Sequence, residues 1–339
     1  MGLDLIAVQP YMTLADYVDE DAFSSHLRRL FLHAEALRRE DEAVVVLPED
    51  LATFLALAAA PEGVRDAPTL DAAFSLIARR RLLPLARAMI RWRSTKLPVA
   101  FFHLVADHVY GAWFRTMSAL ARAFRVTVVA GSALLPANRY GYGTDRFDAR
   151  DGRVYNLALT FAPDGRVVIV TRKRNLVPTQ EDVLFLSRGP DTPPDPIPLG
   201  SHRLGVAICY DAFTVAHTDH EPGFDPLVPK LARLGADIIA QPSANPWPWE
   251  EPWRFRHAED HRPRKEQWRA EGLREALVRV PSVRAGIVSQ LLATLFDMHF
   301  DGQSAIYVRE GDAVLTVVEA ARGDAQPDAE TVIGWSLPF

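Results

Sequence analysis

The stretch RLGVAICYDAF, residues 203–213, joins a buried strand to the chain's only cysteine. From Leu204 onward its apolar residues run without interruption into Cys209, and the polar pair Tyr210 and Asp211 follows at once. A short apolar run that ends in polar residues is typical of a strand buried in an α/β sheet. The thiol is therefore expected at the carboxyl end of a strand, where open α/β sheets place their ligand sites.

Strand and helix patterns alternate on both sides of this stretch. FDPLVPKLARLG (224–235) predicts a helix, and ADIIAQPSAN (236–245) predicts the strand after it. Apolar strands are also expected at 3–10 and 43–50, and the Pro-Asp-Gly sequence at 163–165 indicates a hairpin. Further helices are predicted over 21–39, 106–124 and 265–279. Helices between strands, with hairpins in the middle, favour an α/β fold in which helices cover a mixed sheet.

Two regions differ from the rest in composition. Residues 60–98 are rich in arginine and are predicted to form a helical insertion within a single domain spanning 1–339. The basic part of this region, 79–93, is expected to be a solvated helix face, although it is also suited to attract an acidic substrate or a membrane surface. Residues 242–263 are crowded with proline and tryptophan and predict a long loop, and such loops are often functional.

Composition excludes several classes of protein. The chain of 339 residues carries 38 Lys and Arg against 43 Asp and Glu, a net charge of −5, which gives no support to a nucleic-acid partner. Its longest apolar run, 51–61, is about half as long as a membrane-spanning helix, so no membrane span is expected. Asp4 stands where a signal peptide carries a basic residue, and one cysteine cannot form an internal disulfide. A cytoplasmic location is therefore predicted.

A lone cysteine in a strand is more often an inert buried side chain than a nucleophile. Its position at a strand end favours reactivity here, because the residues after it can form a turn whose N–H groups would receive an oxyanion. A thiol nucleophile needs a base. No histidine lies in a recognisable cysteine-protease context, and the pair His257 and His261 lacks the HExxH pattern of a zinc site. No metal and no cofactor are predicted.

A carboxylate base is available instead. Glu49 closes the apolar strand VVVLPE, Lys173 follows a third apolar strand, and Glu181 lies eight residues beyond the lysine. Each of these residues, taken alone, is more typical of an exposed charge at a strand end. Because an acid, a lysine and a thiol each close an apolar strand, we expect the three to converge on one site.

These three strand ends resemble the motifs of the nitrilase, or carbon–nitrogen hydrolase, superfamily, whose signature is a Glu–Lys–Cys triad. VVVLPED (44–50), TRKRNLVP (171–178) and GVAICYDAF (205–213) match its three motifs in order, and supporting matches extend over nearly the whole chain. The sequence departs from the family pattern at Asn175, where a histidine is common. True nitrilases tend to carry Trp-Glu after the cysteine, so the Tyr-Asp pair here resembles the amidase and carbamoylase branches.

The resemblance implies a four-layer α-β-β-α sandwich of two mixed sheets and a homodimer or larger assembly. It also implies hydrolysis of a non-peptide amide or N-carbamoyl bond in a small molecule, through a cysteine thioester that releases ammonia or an amine. Nitrile hydrolysis and acyl transfer to an amine by the same site remain alternatives, and a non-catalytic ligand-binding member is a further one.

The resemblance assigns roles to individual residues. Glu49 is expected to be the general base and Cys209 the nucleophile, and Glu181 matches a second glutamate found in some branches. Lys173 and the N–H of Tyr210 are expected to stabilise the oxyanion. In the loop above the site, Asn245 and Trp247 are candidates for substrate contact, while simple packing of the tryptophan against the core is equally consistent with the sequence.

Overall fold

The computed structural model describes residues 2–218, 221, 223–257 and 259–338. Its strands, in chain order, are β1 (Gly2–Gln9), β2 (Tyr11–Thr13), β3 (Glu42–Leu47), β4 (Thr127–Asn138), β5 (Ala149–Phe161), β6 (Val167–Arg172), β7 (Ile197–Leu199), β8 (His202–Val206), β9 (Ile238–Ala244), β10 (Ala285–Leu295), β11 (Met298–Phe300), β12 (Ala305–Glu310), β13 (Ala313–Glu319) and β14 (Thr331–Pro338). Its α-helices are α1 (Glu20–Leu37), α2 (Leu70–Arg80), α3 (Leu82–Trp92), α4 (Leu97–Phe124), α5 (Val228–Arg233), α6 (Arg264–Glu271) and α7 (Leu273–Arg279).

The strands form two mixed sheets. The first has the order β14-β1-β3-β4-β5-β6, with parallel pairing from β1 through β3 to β4 and antiparallel pairing elsewhere. The second has the order β13-β12-β10-β9-β8-β7, and its central strands β10, β9 and β8 are parallel. The short strands β2 and β11 extend it by pairing with β10. The α/β fold class predicted from the sequence is confirmed.

The two sheets pack face to face between layers of helices. Leu5 and Val46 of the first sheet share an apolar cluster with Val206 and Ile287 of the second. Helices α1 and α4 cover the outer face of the first sheet, and α5 and α7 cover the outer face of the second. The arrangement is the predicted four-layer α-β-β-α sandwich, in which the inner apolar layer holds the sheets together by burying both of their inner faces.

Several predicted boundaries need correction. The helix predicted over 106–124 begins at Leu97 and runs for 28 residues, because Pro98 in its first turn is compatible with a helix start. The single helix predicted over 265–279 is wrong: α6 and α7 meet at Gly272, which favours a break because glycine is a poor helix former.

In the described ranges, no helix combines the length and the apolarity needed to cross a membrane.

The arginine-rich region contains α2, α3 and the first residues of α4, all between β3 and β4. Its arginines, Arg79 and Arg87 among them, face solvent as predicted. Helix α3 also exposes Leu82, Leu83 and Ile90. The apolar side of α2, including Ala73 and Ile77, packs into the core. That this region is an insertion into one domain stays a prediction.

An ion cluster joins the two ends of the chain beside the pairing of β1 with β14. His26 of α1 lies between two carboxylates, with Nδ1 2.7 Å from Asp16 Oδ1 and Nε2 2.8 Å from Glu330 Oε2. Arg29 also pairs with Glu330. Burial opposes a charge on His26, but the hydrogen bonds with Asp16 and Glu330 outweigh it and raise its pKa from 6.5 to about 9. The cluster therefore stabilises the fold while His26 is protonated.

We expect His26→Gln to destabilise the fold in a pH-dependent way. Since the pKa of His26 is higher in the folded than in the unfolded chain, its contribution is complete below pH 6.5 and is lost as the pH rises through about 9. The variant should lose about 2 kcal/mol of unfolding free energy at pH 6 and much less at pH 10. Urea unfolding at both pH values measures this. His33→Gln, on the exposed side of the same helix, is the control, and a loss that does not change with pH would contradict the assignment.

Candidate active site

Cys209 stands at the start of a sharp turn beyond β8. Its φ is +48°, in the left-handed region that non-glycine residues rarely adopt, and residues Cys209–Ala212 form one turn of 3-10 helix. The Gln241 side chain of β9 donates a hydrogen bond of 2.8 Å to the carbonyl of Cys209 and so holds the turn. Strained conformations of this kind cost about 1–3 kcal/mol and cluster at functional sites. The turn predicted to follow the cysteine is present.

Lys173 lies between two buried carboxylates. Its Nζ is 2.7 Å from Glu49 Oε1 and 2.7 Å from Glu181 Oε2. Asn156 of β5 bridges the same two acids, because its Nδ2 donates to Glu49 Oε1 at 2.8 Å and to Glu181 Oε1 at 3.0 Å. All four side chains are buried. Glu49 and Lys173, which the sequence predicted to converge, therefore form one polar cluster inside the protein together with Glu181 and Asn156.

Local backbone contacts place the members of this cluster. Glu49 follows β3 after Pro48, and the backbone N–H of Ala244 in β9 donates to its Oε2 at 3.1 Å. Lys173 follows β6, and its N–H donates to the carbonyl of Asn156 at 2.8 Å. The N–H of Val177 donates to Glu181 Oε2 at 2.8 Å. Each charged group is thus fixed by a neighbouring strand or turn as well as by its ion partner.

The Asp211 carboxylate connects the cysteine turn to the lysine segment. It accepts the N–H of Asn175 at 2.7 Å and the N–H of Arg174 at 3.1 Å. Burial raises the pKa of Asp211 to about 7, against these hydrogen bonds, which favour the ionised form. The residue two positions after the thiol therefore holds the backbone that directly follows Lys173.

The thiol of Cys209 borders the cluster. Its Sγ is 3.8 Å from the carbonyl oxygen of Ala244, the residue whose N–H donates to Glu49 Oε2. The thiol is buried, with 4% of the residue exposed. Acid, lysine and thiol consequently meet in one place, which is the convergence predicted from the three strand ends.

The electrostatics of the cluster follow from its burial. Burial raises the pKa of the Cys209 thiol well above its usual value, and the charge of Glu49 raises it further. Burial also raises the pKa of Glu49, with a contribution from the Glu181 charge, although Lys173 opposes the shift. The pKa of Lys173 lies well above its usual value because both glutamate charges outweigh its desolvation. The arrangement is a protonated thiol beside a carboxylate base and a permanent cation.

This arrangement is suited to nucleophilic catalysis. A thiol that is neutral at rest must lose its proton as it attacks, and the adjacent Glu49 carboxylate can accept that proton. The Lys173 ammonium carries three hydrogens, of which two point to the glutamates, so a third is left for a developing negative charge. Among the described residues, no group of three or more His, Cys, Asp and Glu side chains is arranged to hold a metal ion.

The side chains of the other predicted residues contact the protein itself. The Tyr210 hydroxyl donates to Glu221 at 2.8 Å, while its backbone N–H lies one residue beyond the thiol. Asn245 is fully buried, and its Nδ2 donates to the carbonyls of Trp247 and Asp301. Trp247 packs edge to face against Trp253. The geometry thus gives both loop residues a role in holding the loop, and their contact with substrate stays a prediction.

Sequence reasoning missed two residues of this region. Asn156 interrupts the apolar run VYNLALTF, and a buried polar residue in such a run was a usable signal. Arg264 is buried among Trp247, Trp253 and Trp268, with its guanidinium 5.0 Å from the centre of the Trp253 ring. Burial lowers the pKa of Arg264 to about 10. In the sequence, the only sign that Arg264 packs among tryptophans was its position directly after the tryptophan-rich stretch 242–263.

The profile of the carbon–nitrogen hydrolase family matches residues 27–312, so the chain belongs to that family. The matched range contains the acid, the lysine and the thiol of the cluster. Membership confirms the superfamily inferred from the three strand ends, and it makes hydrolysis of a carbon–nitrogen bond the reaction class of the protein. Among proteins of curated function, none matches the chain in sequence.

Solved structures of similar fold include amidases and a nitrilase relative. One is a glutamate-to-glutamine mutant of the amidase from Nesterenkonia sp. AN1, which shows Michael addition of acrylamide at its active-site cysteine. It is 13% identical to this chain with a TM-score of 0.57, and the match covers 100% of this chain and 93% of that chain. Nit3 of Saccharomyces cerevisiae, a member of branch 10 of the nitrilase superfamily, is 18% identical with a TM-score of 0.56 and covers 99% of this chain and 90% of that chain. At such low identities, the likeness shows the fold.

We expect Lys173→Met to destabilise the protein because it leaves two buried carboxylates without their cation. Removing one partner of a buried ion pair typically costs about 3–5 kcal/mol. The loss should be larger at pH 8 than at pH 5, since protonating a carboxylate relieves the repulsion. Urea unfolding at both pH values tests this.

The control for this variant is Lys265→Met, which removes a lysine paired with the exposed Glu250. An exposed pair of this kind contributes at most about 1 kcal/mol. Equal losses in the two lysine variants would show that the buried cluster does not depend on Lys173 for its charge balance.

Proposed function

We propose that the protein hydrolyses a non-peptide amide or N-carbamoyl compound through a thioester on Cys209. The observation that carries this proposal is that Cys209 and Glu49 meet at one buried residue, Ala244, whose carbonyl lies 3.8 Å from the thiol and whose N–H donates to Glu49. Glu49 in turn pairs with Lys173 at 2.7 Å. Glu49 is the general base, Cys209 the nucleophile and Lys173 the electrostatic stabiliser. Glu181 and Asn156 hold the base and the lysine in position.

The first step forms the carbon–sulfur bond. As Sγ attacks the amide carbonyl, the thiol proton moves to the Glu49 carboxylate and the carbonyl electrons move onto oxygen. The raised pKa of the thiol makes this coupled transfer necessary, because little thiolate is present at rest. The raised pKa of Glu49 makes the carboxylate a stronger base than an exposed glutamate. The two shifts thus act together in the proton transfer.

The oxyanion that forms needs donors fixed in advance. The third hydrogen of the Lys173 ammonium and the backbone N–H of Tyr210 are the donors we assign. Removing one such donor typically costs about 3–4 kcal/mol of transition-state stabilisation. Because Lys173 is already tied to two glutamates, its ammonium needs no reorganisation as the charge develops.

The second half of the reaction regenerates the thiol. Protonated Glu49 gives its proton to the leaving nitrogen, and the carbon–nitrogen bond breaks to release ammonia or an amine. Water then attacks the thioester, loses a proton to Glu49 and displaces Sγ, which takes the proton back. The balance is one amide and one water converted into one carboxylic acid and one amine, with the protein unchanged.

Amides rank above nitriles as substrates in this proposal. Tyr210 and Asp211 follow the thiol where true nitrilases tend to carry Trp-Glu, and Asp211 here binds the backbone after Lys173. The adduct at the active-site cysteine of the Nesterenkonia amidase supports the assignment of the thiol. A homodimer or larger assembly, which the family resemblance implies, stays a prediction that sedimentation of the purified protein would test.

We expect Cys209→Ala to abolish ammonia release from a panel of amides, carbamoyl amino acids and nitriles. We expect Glu49→Gln to lower the rate by about 10²–10⁴-fold, the range for a lost general base. Intact mass of the unmodified protein, mixed with a slowly hydrolysed amide, should show the acyl group bound at Cys209. Glu42→Gln, at the exposed start of β3, the strand that Glu49 follows, is the control for Glu49→Gln.

Two outcomes of this experiment would change the proposal. Full ammonia release by Cys209→Ala would exclude the thioester. If added amines yield new amides faster than water yields the acid, the reaction is acyl transfer rather than hydrolysis.

We expect the activity to fall in acid with an apparent pKa above 4.5. The base must be ionised to accept the thiol proton, and burial raises the pKa of Glu49. Since the Glu181 charge contributes to this shift, Glu181→Gln should move the acid limb of the kcat/KM profile to lower pH. The profile measured between pH 4 and 9 for both proteins tests this. An acid limb that moves to higher pH would contradict the assigned base.

A further inference from the structure

A cavity of about 300 Å³ lies beside the cluster, and none of the roles assigned above uses it. Its wall includes Asp50 and Gln180, the chain neighbours of Glu49 and Glu181. Those two glutamates share the Asn156 amide, so the wall of the cavity includes a chain neighbour of each of the two acids that Asn156 joins. Its volume is at the lower end of the range for small-molecule sites, about 300–1,000 Å³.

Most of the cavity wall is apolar. Helix α2 contributes Ala73, Phe74 and Ile77, and the first turns of α4 contribute Phe101 and Phe102. Phe74 and Phe101 pack edge to face, with ring centres 5.1 Å apart. Both helices thus supply rigid aromatic and aliphatic surface, which recognises hydrocarbon by excluding water and not by charge.

The polar part of the wall is confined to residues near the two glutamates in the chain. Asp50 and Thr53 follow Glu49 and are hydrogen-bonded to each other at 2.9 Å, while Thr179 and Gln180 precede Glu181. Val183 also lines the cavity and is 56% exposed, so the cavity opens to solvent. A ligand with one polar end and one apolar end matches this distribution.

We propose that this cavity binds the acyl portion of the substrate, and that the protein prefers amides of apolar acyl groups of about six to eight carbons or with one phenyl ring. The inference rests on the function proposed above. The polar end of such a substrate is the amide, which must reach the thiol, and the hydrocarbon end fills the space between α2 and α4. These helices belong to the arginine-rich region 60–98 and the start of α4, so this region of the chain determines the acyl specificity.

The test compares propionamide, hexanamide and octanamide as substrates of the full-length protein. We expect kcat/KM to rise roughly fourfold for each methylene that enters the cavity. Ala73→Phe, which places a ring in the cavity, should remove most of this rise while keeping propionamide hydrolysis within about twofold. Ser75→Phe adds the same ring on the exposed side of α2 and should leave the chain-length dependence unchanged. Phe74→Ala enlarges the cavity and should move the preference to longer chains, which gives a second result if Ala73→Phe does not fold.

Equal kcat/KM for the three amides, or equal losses on all of them in Ala73→Phe, would overturn the inference and leave the proposed function standing. If no amide is hydrolysed and Cys209 takes no acyl group, the proposed function fails instead. Calorimetric titration of octanamide into Cys209→Ala then decides whether the cavity binds hydrocarbon. Binding that Cys209→Ala/Ala73→Phe loses and Cys209→Ala/Ser75→Phe keeps supports the cavity, and absence of binding refutes it.

Discussion

The contact on which the site depends is the Lys173 ammonium between the carboxylates of Glu49 and Glu181. All three groups are almost fully removed from solvent, and each would be costly to bury alone. Replacing such a cluster by apolar side chains is often neutral for stability, so burial of these charges is weak evidence of a contribution to the folding free energy. The cluster does constrain geometry. Because Glu49 follows β3 and Lys173 follows β6, these two segments must lie side by side for the buried charges to pair. In the sandwich, both segments lie at the carboxyl ends of strands of the first sheet, opposite the turn that begins at Cys209 in the second sheet.

The second constraint is the coupling between the cysteine turn and the lysine segment. Asp211 accepts two backbone N–H groups from the residues after Lys173, so the turn cannot move without disturbing the lysine. Asn175, which stands where a histidine is common in the family, bonds the backbone of Asp225 through both ends of its side-chain amide. At this departure from the family motif, the Asn175 side chain therefore ties the backbone at Asp225 to the segment that follows Lys173. A substitution of Asn175 would therefore affect activity by changing the position of Lys173.

The sequence allowed the charged and nucleophilic residues at the strand ends to be predicted. It did not allow the contacts that join them, or the cavity beside them, to be predicted. Glu49, Lys173 and Cys209 could be predicted because each follows an apolar run, which is a local pattern in the sequence. Strand ends lie close together in a folded sheet, so residues at these positions are expected to be neighbours. The role of Asn156 could not, since it depends on two glutamates that lie 107 and 25 positions away in the chain. The break at Gly272 was missed because helix-forming residues continue on both sides of it, RKEQWRAE before and LREALVR after. The cavity was missed because its wall comes from α2, α4 and the segments flanking both glutamates, which no single stretch of sequence displays.

The charge balance of the cluster limits what can bind beside it. Counted over the side chains of Glu49, Glu181, Lys173 and Cys209 alone, two carboxylates, one ammonium and one neutral thiol carry one net negative charge. Moving the thiol proton to Glu49 leaves this charge unchanged, and so does attack on a neutral amide, whose oxyanion replaces the thiolate charge. A substrate carboxylate held in the adjoining cavity would add another negative charge to a wall that is mostly apolar and already contains Asp50. Its desolvation cost would fall on the ground state and the transition state alike. A neutral hydrocarbon acyl group avoids this cost, so the electrostatics of the cluster and the apolar lining of the cavity favour the same class of substrate.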